Sequence, residues 1–117
     1  MGKVVEVEKD MTKIKQGVLL HGCNTKGVMG MGASQILRAA FPSIFPPYKS
    51  YCQIAAKMGR NILGRVIEVQ IEDLDLYVLT GLTQVGYRVD GKVYADIGAI
   101  EKVVNHAADF ASFLKIP

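Results

Sequence analysis

Between Gly17 and Pro42 the chain passes from a short apolar run, through a segment with glycines at 22, 27, 30 and 32, into a helical pattern. Gly17-Val-Leu-Leu20 has the shape of a buried strand bounded by turn residues. Ile36, Leu37, Ala40 and Phe41 recur at helical spacing, and Pro42 stops that helix. The glycines therefore fall at a strand-to-helix crossing. Without a Cβ, Gly27, Gly30 and Gly32 allow positive φ and close approach of a ligand, while the first amides of the following helix point outward unpaired. Such a turn suits an anion, above all a phosphate. The spacing Gly27-x-x-Gly30-x-Gly32 is neither the dinucleotide fingerprint nor a P-loop. Glycines that only allow a helix to pack tightly on a sheet are the alternative reading.

At 117 residues, half of them hydrophobic, the chain is expected to form one domain with a real core. Charged or polar residues interrupt every apolar run, and Met1-Gly-Lys-Val-Val-Glu6 is not a signal peptide, so a cytoplasmic protein without membrane partners is expected. Cys23 and Cys52 read as reduced, buried thiols. The net charge of +3 is spread over scattered lysines and arginines, which permits an anionic ligand without requiring nucleic acid.

The pattern predicts a strand over 3–8, a second over 17–20, the glycine loop, and a helix over 33–41. A shorter helix over 48–58 follows the break at 41–47. Arg65–Ile71 and Leu76–Leu79 read as a hairpin, the stretch 80–94 as a loop, and 96–113 as a long amphipathic helix. This order mixes crossovers with a hairpin, so the expected architecture is α/β, a mixed sheet covered by helices on both faces. Ligands of such sheets bind beyond the carboxyl ends of the strands, where both picked-out loops leave.

With these elements placed, the chain resembles the macro domains, modules that recognise ADP-ribose. The resemblance rests on His21-Gly-Cys-Asn24 after a buried strand, on Gly27-Val-Met-Gly-Met-Gly32, on Lys9-Asp10-Met11, on Thr83-Gln84-Val-Gly-Tyr87 and on Tyr94-Ala-Asp-Ile97. It implies the three-layer α/β/α macro-domain fold. It also implies that Asp10 accepts from the adenine amino group while the amide of Met11 fixes the ring. Asn24 would orient the distal ribose, and the backbone from Gly27 and Val28 to Gly32 would hold the diphosphate between the walls of Met29 and Met31. Thr83, Gln84, Gly86 and Tyr87 would border the distal end, with Asn24 and Gln84 nearest any reaction. Lys26 is read as a solvated lysine able to add charge beside a phosphate, and His21 as a packed or hydrogen-bonded histidine rather than a base.

The branch with Val-Met-Gly-x-Gly includes ADP-ribose 1''-phosphate phosphatases and enzymes that remove ADP-ribose from macromolecules. The resemblance thus implies either a metal-independent hydrolase acting at the distal ribose or a reader that binds without turnover. No cofactor is implied, and two histidines and two cysteines show no metal-ligand spacing. Binding of RNA or poly(A) through the adenine pocket is a third reading, weakened by the lack of a basic cluster or interleaved aromatics. The family continues with a second phosphate loop beyond the point reached at Pro117. A C-terminally incomplete domain, a complementing chain or a homo-oligomer is therefore also expected, ahead of a short form that binds ligand with one loop only.

Overall fold

The computed structural model describes residues 4–5, 15–29, 32–71, 74–85 and 96–114. In chain order the elements are β1 (Val4–Val5), β2 (Gln16–Asn24), α1 (Gly32–Ala40), a 3-10 turn (Pro42–Ile44), α2 (Phe45–Lys57), β3 (Val66–Ile71), β4 (Asp75–Gln84) and α3 (Ile97–Leu114). The four strands form one sheet in the order β1-β2-β4-β3, with β1 and β4 parallel to β2 and β3 antiparallel to β4. The expected mixed sheet and the β3-β4 hairpin are both present.

Alternation along the strands assigns the two faces. Leu19 and Cys23 of β2 join Leu76, Val78 and Leu82 of β4, Leu37 of α1, and Tyr48, Cys52 and Ala55 of α2 in one buried cluster. On the opposite face Val18 and Leu79 meet Ala107 and Ala111 of α3, with Val66 and Phe110 packed alongside. The sheet is thus sandwiched between α1/α2 and α3, the expected three layers. α3 lies close because β4 carries Gly81 beneath it: a Cβ there would stand 2.2 Å from Val103 Cγ1. Its start is capped by Asp96, whose Oδ1 accepts from Ala99 N at 2.8 Å, and Asp96 N donates to Thr83 O at 2.6 Å, tying α3 to the end of β4.

Three boundaries differ from expectation by three residues or more. β2 does not stop at Leu20 but runs through His21, Gly22 and Cys23 to Asn24. β4 likewise runs through Thr80 and Gly81 to Gln84 rather than turning into a loop at Thr80. The cause is mutual: the two strands keep pairing, His21 with Thr80 and Gly22 with Gly81, so the polar residues of each are satisfied by the other. α2 begins at Phe45, because Pro46 and Pro47 sit in its first turn, where a missing N–H costs nothing. Of the expected first strand, Val4–Val5 is described. Among the described residues no helix is long and apolar enough to cross a membrane.

Candidate functional site

Because β2 and β4 are parallel, Asn24 and Gln84 end side by side. The register shifts between Cys23 and Asn24, whose partners are Leu82 and Gln84, which leaves Thr83 as the extra residue on β4. The two exits are then stitched together, with Thr25 N donating to Gln84 O and Thr25 Oγ1 donating to Val85 O, each at 2.9 Å.

Asn24 organises the loop that follows. Its Oδ1 accepts from Lys26 N at 2.9 Å and from Val28 N at 3.3 Å, and its Nδ2 donates to Val28 O at 2.9 Å. An asparagine that bonds its own backbone two and four residues on imitates a backbone turn. Gly27 completes that turn at φ +82°, in the left-handed region that favours glycine. From beneath, the Tyr48 hydroxyl hydrogen is shared between Asn24 O at 2.8 Å and Asn24 Oδ1 at 2.9 Å, and the Cys23 thiol donates to the hydroxyl oxygen at 3.1 Å. Tyr48 is fully buried, and that burial, reinforced by Cys23, raises its phenol well above the usual range, so the hydroxyl stays neutral. Burial likewise pushes the Cys52 thiol up to about 11.

His21 lies one strand pair behind. Its Nε2 is 2.7 Å from Thr80 Oγ1 and its Nδ1 3.3 Å from Ser34 Oγ, which in turn donates to Gly22 O at 3.3 Å. With Thr80 donating to Nε2 and Nδ1 donating to Ser34, every proton in the chain has an acceptor. Desolvation lowers the ring's pKa to about 4, so it is a neutral bridge between β2, β4 and α1 at physiological pH. This matches the reading of His21 as a hydrogen-bonded histidine.

The structure brings together Asn24, Gly27, Val28, Thr83 and Gln84 at the strand ends, with Gly32 opening α1 beyond them. Val28 is partly exposed there, but its amide and carbonyl both bond to Asn24. Thr83 turns to the α3 side, its Oγ1 2.8 Å from where a Cβ on Gly22 would stand. Met29 belongs to the α1/α2-side core, 1 % exposed, so its side chain packs inward rather than walling a cleft. Asp10, Met11, Gly30, Met31, Gly86 and Tyr87 lie outside the described residues. Tyr48 was not among the expected site residues. Its only sequence signal is a tyrosine placed at the start of a proline-led helix. Among the described residues no three His, Cys, Asp or Glu side chains are grouped to hold a metal.

No protein-family model matches the chain. An ADP-ribose 1''-phosphate phosphatase of Scheffersomyces stipitis is 34% identical over 64 residues, 55% of this chain and 37% of that protein. One of Aspergillus clavatus is 34% identical over 53 residues, 44% and 27% of the two chains. The match thus spans well under half the length of these curated relatives. Among solved structures, the macrodomain of Mycobacterium tuberculosis DarG superposes with TM-score 0.74 at 20% identity, over 99% of this chain and 72% of that one. A macrodomain protein of Streptomyces coelicolor gives 0.77 at 22% identity, over 97% and 74%. Thermosipho africanus DarTG in complex with ADP-ribose gives 0.67 at 20% identity, over 93% and 30%.

Proposed function

We propose that this chain, whose fold is that of the macrodomains, binds ADP-ribose across the carboxyl ends of β2 and β4. The observation that carries the reading is the Asn24-centred loop, set where two parallel strands end side by side and leading through Gly27 into the N-terminus of α1. A loop with its backbone already fixed loses little entropy on binding, and a helix start beyond it supplies unpaired amides and positive potential for a diphosphate. In this reading Gly30, Met31 and Gly32 line the diphosphate by backbone, Gly27 and Val28 form the Asn24-held turn that places them, and Asp10 and Met11 take the adenine. Gln84, Thr83, Gly86 and Tyr87 border the distal ribose. Asn24 holds the loop by its bonds to Lys26 and Val28 and so orients the distal ribose. The phosphatases and the ADP-ribose complex among the similar proteins support this ligand.

Turnover, if present, is water attack at the distal ribose or its phosphate, oriented by Asn24 and Gln84. The non-catalytic reader is the second reading, favoured by one observation: His21 is buried with both ring nitrogens engaged by Thr80 and Ser34, so it offers no free nitrogen to a substrate. Calorimetric titration with ADP-ribose, beside Asn24→Ala and Gly30→Glu, tests the proposal. Saturable binding to the wild type that Gly30→Glu abolishes is expected. A folded wild type that binds neither ADP-ribose nor ADP refutes it.

A further inference from the structure

Behind the two strand exits, on the α2 side, lies an open cavity of about 350 Å³. Its floor is apolar, formed by Cys52, Ala55 and Ile62, all buried. Its rim is polar and carries two cations, Lys26 and Arg60, and the side-chain amides of Gln53 and Asn61. Among the described residues no aspartate or glutamate lines it and neither cation is in an ion pair.

We propose that this cavity is a second binding site, for a small organic phosphate, distinct from the ADP-ribose site. Two cations without an ion pair among the described residues, and two side-chain amides over an apolar floor, offer charge-assisted donors to a three-oxygen anion and contact to its organic body. The volume is at the lower end of ligand sites, roughly 300 to 1,000 Å³, which limits the occupant to a compact molecule. The walls are fixed. Thr25 Oγ1 holds Val85 O at 2.9 Å, so the Lys26 side cannot drift from the β4 exit. On the Arg60 side, Arg60 N donates to Ala55 O at 2.9 Å and Gly59 N to Ala56 O at 3.3 Å. Those bonds also occupy the carbonyls at the end of α2 that would otherwise repel an anion. Lys26 and Arg60 come from chain segments more than thirty residues apart, and the fold brings them to one cavity.

The test is a titration of the 117-residue chain with phenyl phosphate, followed by backbone amide NMR, with phenol, benzoate and inorganic phosphate as separate arms. Saturable shifts at Lys26, Gln53, Arg60 and Asn61 are expected, stronger for phenyl phosphate than for any other arm. Arg60→Glu and Lys26→Glu each weaken binding by about tenfold or more, and Ala56→Trp, which fills the cavity from the exposed side of α2, abolishes it. Benzoate binding as tightly as phenyl phosphate, shifts confined to residues 27–34, or unchanged affinity in Arg60→Glu would overturn the proposal. ADP-ribose titrated into Arg60→Glu separates the two sites, because wild-type affinity for ADP-ribose is expected there. A loss in parallel with phenyl phosphate would make the cavity part of one site and refute the second. Phenyl phosphate binding in a chain that ignores ADP-ribose would leave this site standing and remove the other.

Discussion

Gly81 gives the sharpest test of how the two layers meet. A Cβ at this position would stand 2.2 Å from Val103 Cγ1, 2.9 Å from Cγ2 and 3.1 Å from Cβ, so Gly81→Ala cannot be absorbed without moving α3 or Val103. Val103 is 2 % exposed, and α3 is held to the sheet by Ala107 and Ala111 as well, so the helix has little room to tilt. Overpacking of this kind costs about 1–3 kcal/mol. For a domain of this size that corresponds to a fall in Tm of roughly 4 °C per kcal/mol. Val103→Ala alone removes two buried methyls, about 2 kcal/mol with the cavity included. In the double variant the two worst contacts vanish and only the 3.1 Å approach remains. The pair should therefore be less destabilised than the sum of the singles, with a coupling of about 1 kcal/mol or more. Urea unfolding followed by circular dichroism reads all four corners of the cycle. A neutral Gly81→Ala, or strictly additive variants, would refute the packing argument.

Three further outcomes follow from the buried groups. His21 is held near pKa 4 against 6.5 when unfolded, so its contribution is present above pH 6.5 and is lost as pH falls toward 4. The loss amounts to about 2–4 kcal/mol, and His21→Gln should flatten stability against pH in that window. Tyr48→Phe removes a hydroxyl shared among Cys23 and Asn24 and should cost about 1–3 kcal/mol in urea unfolding. Tyr51→Phe, on the exposed side of the same helix, should stay within about 0.5 kcal/mol. The Cys52 thiol is raised from 9.0 to about 11, so its neutral form favours the fold below pH 9 and that contribution fades as pH rises to 11. Cys52→Ala should lose stability less steeply across that alkaline range.

The elements written in one clear period were legible in the sequence. The amphipathic 96–113 pattern became α3, the β-branched 65–71 run became β3, and the Pro42 stop ended α1 one residue early, at Ala40. The ends of β2 and β4 were not legible, because His21-Gly22 and Thr80-Gly81 break an apolar strand pattern. Their reason is tertiary. The histidine and threonine satisfy each other across the strands, and Gly81 makes room for Val103. At the site, Asn24 and Gly27 announced a special turn, and the structure makes Asn24 the hub of that turn. Tyr48 was invisible as a site residue because its partners, Cys23 and Asn24, are about two dozen residues away in sequence and meet it only through packing. Met29 sat in a motif whose spacing cannot distinguish a cleft wall from core, and burial decides for core.

The most direct test of the central claim is an amide NMR titration of the wild-type chain with ADP-ribose. Saturable shifts clustered at 24–29, at the first turn of α1 and at 84–85 are predicted, with α3 residues 103–111 unmoved. Shifts absent, or confined to surfaces away from the β2 and β4 ends, would contradict the account.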